Sequence, residues 1–178
     1  MINMKNSLTI LFFILFSGYI FVQSTIEVGK KAPEITMTKA DGTSFSLSAL
    51  KGKLVLIDFW ATWCATCVEE QPQLKTMYDS YSGQVKKNQF EIVGVSLDKN
   101  KESRQKAIDR FQINWIQISN LKFWKSPVAK LYEVDALPFN VIIDGQGTII
   151  AKNLHGQELE NFEEFDTELK QVIFLVII

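Results

Sequence analysis

Two cysteines three positions apart, Cys64 and Cys67, are the residues of this sequence best suited to chemistry. They are the only cysteines among its 178 residues. They closely follow a continuous apolar run, Leu54–Trp60, which predicts a strand buried on both faces of a sheet. Residues 64–81 then carry apolar side chains every three or four positions, a spacing that predicts a helix. The pair is therefore expected where a central strand passes into a helix.

The first turn of a helix is a place where a thiol becomes reactive. Free backbone N–H groups and the positive end of the helix dipole favour a thiolate, and they lower the pKa of a cysteine below its free value of about 8.5. Cys64 is therefore expected to be the nucleophile. Cys67, one helical turn later, is expected to resolve a mixed disulfide formed on Cys64.

Two other uses of the pair stay open. A structural disulfide is one, although a loop of about four residues restricts the unfolded chain so little that it adds only roughly 2 kcal/mol. Half of a zinc site is the other, but zinc needs further Cys or His ligands. The chain has no third cysteine and one histidine, His155, which is expected in a loop. A redox pair without a metal is the favoured interpretation.

Asp58 lies inside the apolar strand, where a carboxylate is costly to ionise. The pKa of this group is expected to be raised unless a partner stabilises its charge. Such a carboxyl can take up and release protons near neutral pH. The alternative is a structural aspartate bonded to a nearby lysine or backbone group.

Strand and helix patterns alternate along the rest of the chain. A small hairpin is predicted over residues 32–47, with Asp41-Gly42 at its turn. Further strands are predicted over residues 90–97, 115–118, 139–143 and 148–151, and further helices over residues 99–111, 126–132 and 158–169. This alternation predicts one α/β domain, a sandwich with a mixed sheet.

The first 24 residues differ in composition from the rest. Lys5 precedes an apolar stretch over residues 8–22 that ends in polar residues, which is the layout of an export signal. Because the stretch is shorter than the roughly 20 residues that cross a bilayer comfortably, a cleaved signal peptide is favoured over a membrane anchor. Residues 25–178 are expected to form the domain. The balance of 19 basic and 20 acidic residues disfavours nucleic-acid binding.

The ordered motifs resemble the TlpA/ResA-like branch of the thioredoxin superfamily, which is related to the AhpC/TSA redoxins. The segments that carry the resemblance are Gly29-Lys30-Lys31-Ala32-Pro33, Leu50-Lys51-Gly52-Lys53, Asp58-Phe59-Trp60-Ala61-Thr62-Trp63-Cys64, Pro72 and Tyr132-Glu133-Val134-Asp135-Ala136-Leu137-Pro138. The resemblance implies a thioredoxin-like three-layer sandwich around a central mixed sheet. It also implies an N-terminal β-hairpin extension and a helical insert.

The resemblance also implies roles for residues around the cysteines. Leu137-Pro138 resembles the cis-proline segment that binds an extended substrate, with Trp63 as a further substrate-binding residue; an ordinary turn proline is the alternative. Asp58 resembles the buried acid that helps to deprotonate Cys67. Glu70 resembles the acidic residue near the active site of cytochrome-maturation members, although a solvated helix glutamate fits its position equally well.

The resemblance further implies an exported thiol:disulfide oxidoreductase of the periplasm or cell envelope. Such a protein would be a monomer without cofactor or metal, and would reduce disulfides of exported proteins, including cytochrome c apoproteins. Its electrons would come from a membrane thiol-disulfide donor. Thr66 stands where many relatives have proline, and this departure leaves the direction of electron flow open.

Two other functions also stay open. A peroxiredoxin-like thiol peroxidase shares the fold, but it needs a Pro-x-x-x-Thr/Ser-x-x-Cys arrangement. Ile57 and Ala61 stand at the proline and hydroxyl positions before Cys64. A non-enzymatic thioredoxin-fold binding module would not depend on either cysteine.

Overall fold

The computed structural model describes residues 26–39 and 41–156 of the chain. Within these residues the strands are β1 (Thr36–Thr38), β2 (Ser44–Ser46), β3 (Leu54–Trp60), β4 (Phe90–Ser96), β5 (Ile116–Ile118), β6 (Phe139–Ile143) and β7 (Ile149–Lys152). The helices are α1 (Ala65–Ser80), α2 (Ser82–Lys86), α3 (Lys101–Arg110) and α4 (Pro127–Leu131), with short 3-10 helices at Leu47–Leu50 and Phe123–Lys125. The predicted export segment over residues 1–24 and the predicted helix over residues 158–169 lie outside the described residues.

Strand β3 lies at the centre of the main sheet, which in the described part of the chain has the order β5-β4-β3-β6-β7. It pairs parallel with β4 and antiparallel with β6. All of its residues are buried. Because neither face of the strand meets solvent, its sequence is an almost continuous apolar run. The predicted α/β fold with a mixed sheet is confirmed.

The N-terminal hairpin forms a separate antiparallel sheet of β1 and β2. Its turn has the predicted chemistry: Gly42 has a φ of 89°, a conformation that favours glycine, and Asp41 Oδ1 accepts a hydrogen bond from the Thr43 N–H at 2.8 Å. The strands are shorter than the predicted span of residues 32–47. One reason is Pro33, which has no N–H to donate to a ladder.

Helix α1 follows β3 and begins one residue after Cys64, and the shorter α2 lies between it and β4. The residues that it buries recur at intervals of three and four: Cys67, Gln71, Leu74, Met77 and Tyr78. The predicted helix over residues 64–81 is confirmed to within one residue at each end. No helix within residues 26–39 and 41–156 is long and apolar enough to cross a membrane.

The other predicted elements inside the described ranges are present, with ends that differ by at most two residues. Helix α2 and the two 3-10 helices were not predicted. Each has five residues or fewer, which is too short a window for a periodic pattern to emerge.

A buried polar contact joins the centre of the sheet to its edge. Gln117 in β5 accepts a hydrogen bond from the Trp60 indole N–H at 3.0 Å. Gln117 pairs with Gly94 in the ladder between β4 and β5. A Cβ atom added at position 94 would lie 2.1 Å from Gln117 Nε2. Gly94 therefore leaves the space through which Gln117 reaches across β4 to Trp60.

We expect Gly94→Ala to destabilise the protein by about 1–3 kcal/mol, because the new methyl group displaces the Gln117 amide from its buried hydrogen bond. In a Gln117→Ala background the same substitution should be nearly neutral, since no side chain then occupies the space. Urea unfolding of the four proteins in this double-mutant cycle measures the coupling. Equal losses of stability in both backgrounds would contradict the contact.

Candidate active site

Cys64 and Cys67 form a disulfide at the N-terminus of α1, with their Cα atoms 5.3 Å apart. Cys64 is the N-cap residue, and its sulfur accepts a hydrogen bond from the Cys67 backbone N–H at 3.1 Å. Thr66 Oγ1 lies 3.4 Å from the same sulfur. Donors at the helix start therefore converge on Cys64, where a thiolate charge would form on reduction. Cys64 is 7% exposed and Cys67 1% exposed, so solvent reaches Cys64 first.

Asp58 lies in the middle of β3 and is almost fully buried. Burial is the main reason why the pKa of Asp58 rises to about 7, and the negative charge of Glu70 adds to the rise. Asp58 Oδ2 has no hydrogen-bond partner among the described residues. A carboxyl in an apolar strand was expected to titrate near neutral pH, and burial raises the pKa of Asp58 into that range.

Gln71 links the Asp58 carboxyl to the cysteines. It is buried on α1, and its Nε2 donates a hydrogen bond to the Cys67 carbonyl oxygen at 3.4 Å. The Gln71 side chain also lies near enough to Asp58 to moderate the rise in the pKa of that carboxyl. Asp58 is therefore separated from the turn that carries Cys67 by one side chain.

A cavity of about 10 Å³ lies beside Asp58, and this is close to the volume that one water molecule needs. Its lining includes Glu70 and Leu74 from α1 and Asn140 from β6. Burial raises the pKa of Glu70, and the neighbouring His155 opposes that rise. The fold thus places both candidate carboxyls, Asp58 and Glu70, on one cavity.

His155 approaches this cavity from the loop after β7. Its Nδ1 lies 3.2 Å from Glu70 Oε1, close enough for an ion pair when the imidazole is protonated. Asn140 fixes the loop, because its Nδ2 donates to the Leu154 carbonyl at 2.6 Å and its Oδ1 accepts from the Leu154 N–H at 3.1 Å. His155 is a loop residue as predicted, but its contact with Glu70 was not predicted.

Asp98, just after β4, holds the segment that leads to Cys64. It is buried, and its Oδ1 accepts hydrogen bonds from the Thr62 backbone N–H at 3.1 Å and from Thr62 Oγ1 at 2.7 Å. Its Oδ2 accepts a hydrogen bond from Ser96 Oγ at 2.8 Å. These bonds position Thr62, and with it the start of the cysteine motif, against the end of β4.

The predicted substrate-binding residues lie at the same end of the sheet. Trp63 is 46% exposed beside Cys64. The peptide bond of Leu137-Pro138 is cis, and the next residue, Phe139, pairs with Phe59 in the antiparallel ladder between β6 and β3. The register therefore places Leu137-Pro138 beside the carboxyl end of β3, from which the chain continues to the cysteines.

Three residues of the site were not identified from the sequence: Gln71, Asp98 and Asn140. The sequence could have indicated Gln71, since it is a glutamine one turn after Cys67 on an otherwise apolar helix face. It could also have indicated Asp98, because an acid directly after a buried strand lies at the edge of the sheet where sites are built. It could not have indicated Asn140, since the role of Asn140 depends on its place opposite Asp58 in the register.

We expect Asp58→Asn to stabilise the oxidised protein at high pH and to have little effect in acid. The folded-state pKa of Asp58 is raised to about 7 from an ordinary value of 3.8, so the folded state binds the proton more tightly and stability falls as pH rises from about 4 to about 7. The variant should be more stable than the parent by about 2–4 kcal/mol at pH 9 and about equally stable at pH 4.

Urea unfolding across this pH range measures the difference in stability between the two proteins. The same substitution at Asp109, an exposed residue of α3, is the control and should leave the profile unchanged. A stability difference between Asp58→Asn and the parent that did not change with pH would contradict the buried titrating carboxyl.

Comparisons with known sequences agree with this geometry. The AhpC/TSA family matches residues 28–152. The thiol-disulfide oxidoreductase ResA of Bacillus thuringiensis subsp. konkukian (strain 97-27) is 32% identical to this chain over 161 residues. The match covers 86% of this chain and 84% of that protein.

Solved structures extend the comparison to the fold. The thioredoxin domain of a thiol-disulfide oxidoreductase from Bacteroides vulgatus is 36% identical with a TM-score of 0.70, covering 78% of this chain and 96% of that one. A thiol:disulfide interchange protein from Bacteroides sp. is 34% identical with a TM-score of 0.69, covering 79% of this chain and 90% of that one. The predicted thioredoxin-like fold is confirmed, and the Cys64–Cys67 pair is of the kind that supports dithiol-disulfide exchange. The chain belongs to the AhpC/TSA family, and within it to the thiol-disulfide oxidoreductases related to ResA.

Proposed function

We propose that the protein is an exported reductant of protein disulfides, with Cys64 as nucleophile and Cys67 as resolving thiol. The observation that carries the proposal is the disulfide at the start of α1, whose more exposed sulfur, on Cys64, receives the helix N–H bond. A reduced Cys64 in this position is favoured as a thiolate. The thiolate is the form that attacks a disulfide.

In the first step the Cys64 thiolate attacks one sulfur of a substrate disulfide. A mixed disulfide forms between Cys64 and that sulfur, and the second substrate sulfur leaves as a thiolate that takes up a proton. In the second step the Cys67 thiolate attacks the Cys64 sulfur and releases the first substrate sulfur. Two electrons pass from the cysteine pair to the substrate, which becomes a dithiol while the protein regains its disulfide.

Asp58 is proposed to accept the proton that Cys67 loses in the second step. Its pKa of about 7 is matched to this task, because a general base works best with a pKa near the operating pH. Gln71 connects the Asp58 carboxyl to the Cys67 turn. The cavity shared with Glu70 offers room for one water to carry the proton outward. Glu70 is proposed to be the outer proton acceptor of this route.

Leu137-Pro138 and Trp63 are proposed to bind the substrate. Leu137-Pro138 lies beside the end of β3, which supports a role for the Leu137 backbone in pairing with an extended peptide. Trp63 is exposed next to Cys64, and an exposed aromatic ring supplies apolar contact area at low entropic cost. Together they would hold the substrate sulfur near Cys64.

The apolar stretch over residues 8–22 after Lys5 supports export to the periplasm or cell envelope. An exported reductant lies outside the reach of the cytoplasmic thiol pool. It therefore needs electrons from a membrane thiol-disulfide donor. Cytochrome c apoproteins, which are matured outside the cytoplasm, are the proposed substrates, and the protein is proposed to act as a monomer.

Cys67→Ala should trap the first step as a stable mixed disulfide, because no second thiol is present to resolve it. We expect the reduced variant to form one adduct, at Cys64, with a peptide that contains a disulfide, while Cys64→Ala reacts at least about ten-fold more slowly because its remaining thiol is buried. Mass spectrometry after acid quenching identifies the adduct. Faster adduct formation at Cys67 than at Cys64 would reverse the proposed roles.

Asp58→Asn should slow the second step, on the order of 100-fold if the carboxyl acts as a general base. In the parent protein the rate of this step should rise with pH as Asp58 ionises around its pKa of about 7, and the variant should lose that rise. Glu91→Gln, which changes a partly buried carboxyl near the opposite end of the sheet, is the matched control. Stopped-flow measurement of mixed-disulfide decay reports the rate, and identical pH profiles for parent and Asp58→Asn would exclude the relay.

A further inference from the structure

An aromatic surface lies directly beside the redox disulfide. Trp63, which precedes Cys64, is 46% exposed. Its ring centroid lies 4.9 Å from that of Phe123 and 5.8 Å from that of Trp124. Lys99 Nζ lies over the Phe123 ring, 4.4 Å from its centroid, within the range of a cation–π contact. We call these four residues the aromatic–lysine surface.

Hydrogen bonds hold together the two segments of this surface that carry Trp63 and Lys99. Trp63 follows Thr62 and Lys99 follows Asp98, and Thr62 and Asp98 are joined by the hydrogen bonds described above. The third side is the segment with Phe123, whose φ of 54° is uncommon for a bulky residue. Such a backbone conformation persists where the surrounding contacts favour it, and it is enriched at functional sites.

Lysine is the most frequent charged residue in the two segments that carry Lys99, Phe123 and Trp124. Lys99, Lys101, Lys122 and Lys125 are all exposed, and within the described residues none of them forms an ion pair with a carboxylate. Residues 119–130 contain no acidic side chain. Of the nearby carboxylates, Asp98 is buried in hydrogen bonds to Thr62 and Ser96. The exposed ones are Glu102 at the start of α3, Glu69 on α1, and Glu133 and Asp135 before Leu137-Pro138.

We propose that the aromatic–lysine surface docks an acidic segment next to the reactive cysteine of the protein substrate. This inference rests on the proposed function, since it names the kind of disulfide that the pair exchanges with. The exposed Trp63 ring and the partly buried rings of Phe123 and Trp124 supply apolar contact area. The exposed lysines, which have no carboxylate partner among the described residues, attract and orient a segment that carries Asp or Glu. Because Trp63 adjoins Cys64, a segment bound here brings its own sulfur to the disulfide.

The test compares three disulfides in single-turnover exchange with the full-length protein. Two are synthetic peptides with the same internal disulfide, one flanked by aspartates and the other by lysines. The third is hydroxyethyl disulfide, which is small and uncharged. Tryptophan fluorescence in a stopped-flow instrument follows oxidation of the cysteine pair at low and at high ionic strength. If oxidation does not run to completion, reduction of the disulfide form of the protein by the same peptides in their dithiol form is measured instead.

At low ionic strength we expect the aspartate peptide to react about ten-fold faster than the lysine peptide, because complementary charge raises association rates. High salt should remove most of this difference. Lys122→Glu/Lys125→Glu should reverse the preference and leave the rate with hydroxyethyl disulfide unchanged. Phe123→Ser should slow both peptides but not the small disulfide.

Lys86→Glu/Lys87→Glu is the matched control, since it makes the same change in charge near the start of β4, at the opposite end of the sheet from the disulfide. It should retain the preference for the aspartate peptide. Equal rates for both peptides, or a preference that the control pair also reverses, would overturn the docking proposal. So would a second-order rate constant for the aspartate peptide that falls as the protein concentration is raised, as expected if a second copy of the chain covers the surface. If the protein does not react with hydroxyethyl disulfide, that result would instead contradict the proposed function.

Discussion

The carboxyl end of strand β3 is the constraint on which the site depends, because the chain there must leave a buried strand and start a helix at once. The unpaired N–H groups of a helix start need acceptors, and the Cys64 sulfur supplies one. The same turn places the Cys67 carbonyl in contact with Gln71, and the Gln71 side chain in turn acts on the buried Asp58 carboxyl. Helix capping, thiolate stabilisation and the proton transfer proposed for Asp58 therefore all depend on one change of direction in the backbone.

The position of Asp58 lowers the stability of the protein at high pH but suits the function proposed for this residue. A carboxyl in the middle of β3 is destabilising once it ionises, and an apolar residue there would remove that effect. The raised pKa is also what suits the group to the proton transfer proposed for it near neutral pH. The surrounding polar residues do not cancel the effect of burial: Gln71 lowers the pKa of Asp58 only in part, and Glu70 raises it further.

Local patterns made much of this architecture predictable. The apolar run Leu54–Trp60 identified the central strand, and the spacing after Cys64 identified α1, because both signals come from residues adjacent in sequence. Contacts between distant segments were not predictable in this way. Asn140 braces the His155 loop and Asp98 holds Thr62 through pairings that exist only once the strands are in register. The sequence indicates that Asp98 follows a buried strand, but it carries no signal for the pairing partner of Asp98 or of Asn140, so these supporting contacts become visible only in the fold.

The most direct test of the account is the reduction potential of the Cys64–Cys67 pair in the full-length protein. Equilibration in dithiothreitol buffers, followed by alkylation and mass spectrometry, measures the fraction of oxidised pair at each potential. We predict full reversible cycling, with a potential closer to the value of about −270 mV for thioredoxin than to that of about −120 mV for DsbA. A potential near the DsbA value would contradict the role as a reductant, and a pair that did not cycle would contradict dithiol-disulfide exchange itself.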